Sequence, residues 1–358
     1  MTKVASFSVD YVQHLSPSGE LVGINKTDLA TDFDKIKSLY KLMVMTRIFD
    51  AKAISLQRTG KLGTYASSLG HEAIHVAIGA AMKYEDVFAP MYREYGAQFY
   101  RGVKMSEVLL YWGGDERGSN FSGPAHDFPW CVPIATQNMH AAGAALAFKL
   151  RKEPRCAVTV IGDGGSSKGD FLESINAASA FKLPMVLVIV NNGWAISVPR
   201  KKQSSGQTLA QKGIAGGLPS IQVDGNDLFA VHEVMSKALE RARNGGGATV
   251  IEAITYRLSD HTTADDASRY RPKEEVENAR KFEPILRLRQ YLMNQNQWSV
   301  QQENNLIEEC KAKVEEAVQE YLNAPKPEIT DIFDYMYAEL PQDLQEQRKY
   351  AQELENNG

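Results

Sequence analysis

Residues 156–165 have the sequence Cys-Ala-Val-Thr-Val-Ile-Gly-Asp-Gly-Gly, and residues 185–192 have the sequence Met-Val-Leu-Val-Ile-Val-Asn-Asn. Both begin as short apolar runs rich in β-branched residues, which is typical of buried strands. The residues between them, 170–181, have helical character. The stretch therefore predicts a strand–helix–strand unit with two parallel strands, which is the basic element of an α/β fold.

The same alternation continues on the C-terminal side of this unit. Strands are expected at residues 221–223 and 248–256, with a helix over residues 227–242 between them. A helix rich in alanine and glycine is expected before the unit, at residues 140–151. The pattern predicts an α/β fold with a doubly wound, mostly parallel sheet and flanking helices.

The ends of the chain differ from this central region. Residues 1–35 are polar and weakly periodic, which indicates an N-terminal arm. Residues 36–325 are expected to form the α/β domain, and residues 326–358, which are acidic towards the end, are expected to form a C-terminal tail helix.

Composition excludes several classes of protein. The chain has 358 residues, of which 43% are hydrophobic, and this composition is typical of a globular protein. Its net charge of −4 does not indicate the basic surface that binds nucleic acid. The longest apolar run is far too short to span a bilayer, and the first residues resemble neither a signal peptide nor a transit peptide. The three cysteines are widely spaced, so a disulfide framework or a zinc knuckle is not expected. A cytoplasmic location is expected, and neither nucleic acid nor a membrane is an expected partner.

Polar side chains follow the two strands of the central unit. Asp163 lies directly after the first strand and Asn192 directly after the second. Because parallel strands end at the same edge of a sheet, these oxygen ligands are expected to lie close together. Magnesium prefers such ligands and often completes its shell with phosphates, while Gly164 and Gly165 would let a phosphate approach backbone N–H groups. The alternative is an ordinary strand–turn–helix connection, in which Gly-Asp-Gly and Asn-Asn have no ligand.

This pairing of motifs resembles the fingerprint of thiamine-diphosphate enzymes. More narrowly, the chain resembles the alpha subunits of the decarboxylating component of bacterial 2-oxo acid dehydrogenase complexes. The resemblance covers nearly the whole chain and rests on residues 47–50, 92–93, 133–137, 162–170, 191–197, 222–225 and 256–270. It implies a thiamine-diphosphate-binding fold.

The resemblance also implies roles for individual residues. Magnesium would be held by the side chains of Asp163 and Asn192 and by the backbone carbonyl of Trp194. The residues expected to bind thiamine diphosphate are Tyr92, Arg93, Val132, Ile134, Asp163, Gly164, Gly165, Asn192, Trp194, Arg257 and His261. Within this set, Tyr92 and the two arginines match residues that hold the diphosphate, and guanidinium groups suit phosphate oxygens.

His261 matches the active-site histidine on a loop of the family. A lone loop histidine is more often a polar surface group, but the matching neighbours favour a catalytic role. Ordering of the loop and acyl transfer to a lipoyl group are both compatible with histidine chemistry. The next residue, Thr262, stands where eukaryotic relatives have a regulatory serine, and this argues against control by a kinase.

His71-Glu72-Ala73-Ile74-His75 also fits the H-E-x-x-H pattern of zinc metalloproteases. Its flanks instead fit the start of a helix in the resembled family, where glutamine is usual at the position of His71. A zinc protease therefore remains a remote alternative.

The resemblance implies an enzyme that decarboxylates a 2-oxo acid and transfers the acyl group to a lipoyl group. The favoured substrate is pyruvate, with a branched-chain 2-oxo acid as the alternative and a noncatalytic paralogue as a remote one. The implied partners are a beta subunit, in a heterotetramer of two alpha and two beta chains, and a lipoyl-bearing dihydrolipoyl acyltransferase. Since part of the implied active site belongs to the beta subunit, the isolated chain is expected to be inactive.

Overall fold

The computed structural model describes residues 1–23 and 28–357, the last two of these by their backbone alone. The chain divides into two compact units, Met1–Val318 and Gln319–Gly358. Residues 24–27 of the expected arm and residue 358 of the expected tail lie outside the described residues. The domain limits at residues 35 and 325 remain predictions.

Strands and helices alternate along the larger unit. The strands are β1 (Asp10–Val12), β2 (Val87–Ala89), β3 (Ala157–Gly162), β4 (Met185–Asn191), β5 (Trp194–Ala195), β6 (Val198–Pro199), β7 (Ser220–Asp224) and β8 (Thr249–Ile254). Its helices are α1 (Phe33–Arg58), α2 (Glu72–Ala81), α3 (Tyr95–Arg101), α4 (Met105–Trp112), α5 (Thr136–Arg151), α6 (Gly169–Ala180), α7 (Arg200–Gln203), α8 (Gln211–Ala215), α9 (Leu228–Arg241), α10 (Lys273–Arg280), α11 (Pro284–Asn294) and α12 (Val300–Leu322), the last of which ends in the smaller unit. The smaller unit also contains α13 (Asp331–Asp334) and α14 (Gln342–Asn357).

Six of the described strands form one parallel sheet in the order β1-β7-β8-β4-β3-β2. Strands β3 and β4 lie side by side, with Ala157 opposite Met185 and Gly162 opposite Val190. Strands β5 and β6 form a separate antiparallel pair. The strand–helix–strand unit predicted from residues 156–192 is confirmed.

Both faces of the sheet are buried, and β4 demonstrates this most clearly. Its residues Val186, Val188 and Val190 belong to a core that includes residues of α1, α2, α9 and α11. Its alternate residues Met185, Leu187 and Ile189 belong to a second core with residues of α5 and α6. Because successive strand residues point to opposite faces, helices cover each side of the sheet. The predicted doubly wound α/β class is confirmed.

The sheet includes part of the expected N-terminal arm. Strand β1 pairs in parallel with β7, with Asp10 opposite Ile221. Asp227 secures this segment, because one carboxylate oxygen accepts hydrogen bonds from the N–H groups of His14 and Leu15, at 2.5 and 2.6 Å. Its other oxygen accepts from the first N–H groups of α9 and caps that helix. Three residues without strong alternation give little signal for a strand, so this pairing was not expected.

Element boundaries differ modestly from the sequence-based expectations. The helix expected at residues 140–151 begins earlier, at Thr136, directly after Ala135, whose left-handed φ of 77° marks the helix start. The strand expected to reach residue 256 ends at Ile254, which lies opposite Asn191 and Asp224, the last residues of its two neighbouring strands. The expected tail helix is divided between α13 and α14.

Every helix in the described part of the chain is too short or too polar to cross a membrane.

Candidate active site

The ends of β3 and β4 open into a cavity of about 350 Å³. Asp163 directly follows the first strand and Asn192 the second, and both residues line the cavity at this edge of the sheet. The cavity is lined by Met91, Tyr92, Arg93, Ile134, Gly162, Asp163, Gly164, Gly165, Lys168, Asn192, Trp194, Ala195, Ile196, Gln203 and His261. Most of the residues implied by the family resemblance therefore come together here.

Asp163 is the buried carboxylate of this cavity. Its Oδ1 accepts a hydrogen bond from the Gly164 N–H at 2.9 Å, whereas Oδ2 has no hydrogen-bond partner among the described residues. Burial raises the pKa of the Asp163 carboxyl to about 6. A buried, unpaired carboxylate oxygen is unfavourable unless a cation or donor completes its environment. The carboxylate of Asp163 is therefore suited to bind a cation.

Asn192 directly follows β4, and Trp194 begins β5 two residues later. The Asn192 Oδ1 accepts from the Trp194 N–H at 3.3 Å, and Gly193 between them has a left-handed φ of 86°. The Trp194 carbonyl accepts from Nη1 of Arg257 at 3.3 Å. A carbonyl oxygen has two lone pairs, so this contact leaves one for another partner. Both predicted oxygen ligands thus keep acceptor capacity.

Gly164 and Gly165 form the turn between β3 and α6. A Cβ atom on Gly164 would lie 2.3 Å from Cβ of Ala195, and one on Gly165 would lie 2.7 Å from a side-chain carbon of Ile161. Because other atoms of the protein approach both positions so closely, only glycine, which has no side chain, fits there.

Two buried arginines connect the loops around the cavity. Arg93 donates to the carbonyls of Ser67 and His261, the latter at 3.0 Å. Arg257 donates to the Trp194 carbonyl, to the Ile196 carbonyl at 2.9 Å and to the Tyr270 hydroxyl at 2.9 Å. Its Nε has no acceptor among the described residues. Burial lowers the pKa of Arg257, and the nearby positive charge of Arg93 acts in the same direction.

His261 lies between these arginines. Its Nδ1 is 3.4 Å from Nη2 of Arg93 and 3.4 Å from Nη1 of Arg257. Burial, together with the two guanidinium charges, lowers the pKa of His261 to about 4. Guanidinium groups only donate, so Nδ1 is the acceptor and the proton of the neutral ring is on Nε2. His261 therefore offers one N–H donor at the cavity.

Two of the expected cofactor residues do not line the cavity. Val132 is 49% exposed and lies outside it, although Ile134, two residues further on, is at its wall. Arg257 is fully buried and acts on the cavity through its contacts with Trp194 and His261.

Sequence reasoning did not single out several residues that contact the site. Lys168 and Gln203 provide polar groups at the wall. The sequence offers little signal for Gln203, which follows three basic residues, but Lys168 follows the glycine-rich turn closely enough to have been considered. His71 was assessed only as part of the protease pattern.

The polar residues His71 and Glu72 of the H-E-x-x-H segment have hydrogen-bond partners within the protein, so their burial does not require a zinc ion. Glu72 is buried, accepts from Nε of Arg47 at 2.9 Å and from the Gly70 N–H at 3.0 Å, and burial raises its pKa. His71 faces Asn192, and the pKa values of both histidines are lowered by burial, to about 3 for His71. In the described chain, no group of three histidine, cysteine or acidic residues is placed to bind a metal.

Comparison with known proteins gives a consistent result. Residues 40–330 match the family model described as Dehydrogenase E1 component. The pyruvate dehydrogenase E1 component subunit alpha of Acholeplasma laidlawii is 43% identical over 318 residues, which cover 88% of this chain and 92% of the relative. The protein of the same name from Staphylococcus aureus (strain Mu50 / ATCC 700699) is 40% identical over 348 residues, covering 97% and 94%. The Staphylococcus epidermidis protein of that name is 40% identical with the same coverage.

Proposed function

This chain belongs to the dehydrogenase E1 component family, and we propose that it is the alpha subunit of a pyruvate dehydrogenase E1 component. The family depends on thiamine diphosphate. The proposed activity is decarboxylation of pyruvate with transfer of the acetyl group to a lipoyl group. The relatives that carry this name match almost the full length of the chain, including the segments that form the cavity.

One observation supports a cation–diphosphate site most strongly. The buried Oδ2 of Asp163 has no hydrogen-bond partner among the described residues, and it belongs to a cavity that is also lined by the guanidinium group of Arg93. A divalent cation would satisfy this oxygen, and a diphosphate would complete the shell of the cation. Magnesium is the proposed ion, with Asp163, Asn192 and the Trp194 carbonyl as its protein ligands.

The remaining polar groups suit the diphosphate. Arg93 and Tyr92 line the cavity and are the proposed contacts of the phosphate oxygens. Arg257 lies behind the cavity wall, and its buried Nε–H has no acceptor among the described residues. The glycine turn brings backbone N–H groups close to the same space. Ile134 and Val132 are the proposed contacts of the aminopyrimidine ring. When bound, thiamine diphosphate supplies the electron sink that allows carbon dioxide to leave.

His261 is the proposed catalytic residue of this chain. Hydrogen bonds from Arg93 and Arg257 to Nδ1 hold the ring as the tautomer with its proton on Nε2. A neutral histidine in this form donates a hydrogen bond to a reacting oxygen without bringing a further positive charge between two arginines. It would order the loop and support transfer of the acyl group.

The proposed assembly contains two alpha and two beta chains and acts on a lipoyl-bearing dihydrolipoyl acyltransferase in the cytoplasm. The names of the relatives, which describe a subunit alpha of a component, support the presence of a second kind of subunit. The stoichiometry and the acyltransferase partner are proposed from the family resemblance.

The function is tested by reconstitution. We expect the chain, co-expressed with its proposed beta subunit, to release carbon dioxide from pyruvate faster than from 3-methyl-2-oxobutanoate, with thiamine diphosphate and magnesium present. Each subunit alone is the control and should be inactive. A preference for 3-methyl-2-oxobutanoate would reassign the substrate, and activity of the chain alone would contradict the shared site.

A further inference from the structure

His71 and Asn192 are in direct contact although they lie far apart in the sequence. Nε2 of His71 is 3.1 Å from Nδ2 of Asn192, and both side chains are buried. His71 immediately precedes α2, whereas Asn192 follows β4. The family resemblance gave no role to His71, and the protease pattern that contains it does not form a metal-binding group of three residues in the described part of the chain.

The hydrogen bonds of His71 determine where its ring proton lies. Nδ1 is 3.1 Å from the carbonyl oxygen of Ser68, which can only accept, so Nδ1 must carry the proton. The carbonyl is itself held in place, because the Ser68 N–H and hydroxyl both donate to the buried carboxylate of Asp50, at 2.7 and 3.3 Å. Nε2 of the neutral ring is therefore an acceptor with a fixed direction.

This acceptor distinguishes the two ends of the Asn192 amide. Only the NH2 group of the amide can donate to Nε2, and the N–H of Trp194 points to the oxygen end at 3.3 Å. If the amide of Asn192 were reversed, its oxygen would face the lone pair on Nε2 of His71 and its NH2 group would face the N–H of Trp194. Both hydrogen bonds would then be lost. The two neighbours therefore select one orientation.

We propose that His71 is a positioning residue that holds the NH2 end of Asn192 and so presents its Oδ1 as a ligand to the divalent cation. The inference rests on the proposed metal role of Asn192. A reversed amide would present a donor to a cation, and outer contacts of this type commonly affect metal affinity by about 10- to 100-fold. The chain Asp50–Ser68–His71–Asn192 thus connects a buried carboxylate to the cation site.

Three variants of the full chain, each assembled with its beta partner, separate this role from a structural one. Free Mn²⁺ is measured by electron paramagnetic resonance during titration at a fixed concentration of thiamine diphosphate. We expect His71→Leu, which removes donor and acceptor, to weaken Mn²⁺ binding about ten-fold or more. His71→Gln keeps a donor and an acceptor and should bind Mn²⁺ close to the wild-type affinity.

His75→Leu is the matched control. His75 is a buried histidine one turn further along α2, its ring stacks on that of His71 at 5.6 Å, and its ring nitrogens have no hydrogen-bond partner among the described residues. This variant should retain wild-type affinity. Wild-type affinity in a folded His71→Leu variant, or an equal loss in His75→Leu, would overturn the inference.

A second measurement applies even if His71→Leu fails to fold. In a crystal structure of the wild-type assembly with Mn²⁺ and thiamine diphosphate, we expect Oδ1 of Asn192 on the ion and Nδ2 on Nε2 of His71. A side chain of Asn192 turned away from His71 in that structure would contradict the positioning role. Absence of Mn²⁺ binding by the wild-type assembly would instead contradict the proposed function.

Discussion

Individual residues at this site are placed in environments that are unfavourable without a ligand. In the described part of the chain, a buried oxygen of Asp163 and the buried Nε–H of Arg257 have no hydrogen-bond partner, and His261 lies between two guanidinium groups. Buried polar groups are normally paired, and exceptions concentrate at functional sites. A bound anion and cation would satisfy the groups that the folded chain leaves without partners.

His261 should make the stability of the chain depend on pH. Its pKa is about 4 in the folded chain, below the ordinary value of 6.5, because burial and two positive charges disfavour protonation. The unfolded chain therefore binds the proton more tightly, and stability should decrease as the pH falls from 6.5 towards 4. We expect the melting temperature to decrease less between pH 7 and pH 4.5 in His261→Asn than in the wild type, measured without cofactor.

An exposed histidine provides the control for this experiment. His126→Asn should keep the wild-type pH dependence, because that side chain is in water in the folded and unfolded states. Identical pH dependence in His261→Asn and the wild type would contradict the environment described for His261.

Sequence reasoning was strongest for residues whose chemistry is visible in the local pattern. Asp163 and Asn192 follow apolar strands directly, so their meeting at the sheet edge follows from parallel pairing alone. His71 contacts Asn192 through the tertiary fold, and the sequence near His71 suggests a different site. Long-range side-chain contacts of this kind leave no periodic signal.

Among the elements, the turn between β3 and α6 should be sensitive to added volume. Gly164 has an ordinary helical φ of −62°, so its requirement is for space rather than for backbone freedom. A Cβ there would lie 2.3 Å from Cβ of Ala195. We expect Gly164→Ala to lower the free energy of unfolding by about 1–3 kcal/mol in equilibrium denaturation, because overpacking forces the two loops apart.

The same substitution in α5 should have the opposite effect. A Cβ on Gly143 would meet no atom within 4 Å, and alanine favours the helical conformation over glycine by about 0.5–1 kcal/mol. Gly143→Ala should therefore stabilise the isolated chain. Equal stability of the two variants would contradict the close packing of the Gly164 turn.

Long elements with a consistent hydrophobic pattern were predicted well, whereas short elements were not. β4 has seven consecutive buried residues, which is a strong signal for a central strand. β1 has three residues, and the segment that follows it is held by the distant carboxylate of Asp227. The strength of the local pattern explains the difference.

At the scale of the whole molecule, the fold assembles a site from segments that are far apart in the sequence. Residues from Met91 to His261 line one cavity, and the buried arginines join its loops. The α/β class and the location of the cavity followed from the order of strands and helices, since ligands bind at the carboxyl ends of parallel strands. The contacts of the arginines with loop carbonyls could not be predicted from the sequence and are visible only in the structure.

The central claim is that Asp163 supplies the anionic ligand for a magnesium ion that holds thiamine diphosphate. Calorimetric titration of thiamine diphosphate into the assembled alpha and beta chains, with and without magnesium, tests it most directly. We predict magnesium-dependent binding in the wild type and in Glu173→Gln, an exposed carboxylate control on α6. Asp163→Asn should abolish that binding while melting no lower than the wild type, because it removes a buried carboxyl whose ionisation is disfavoured. Unchanged, magnesium-dependent affinity in Asp163→Asn would contradict the account.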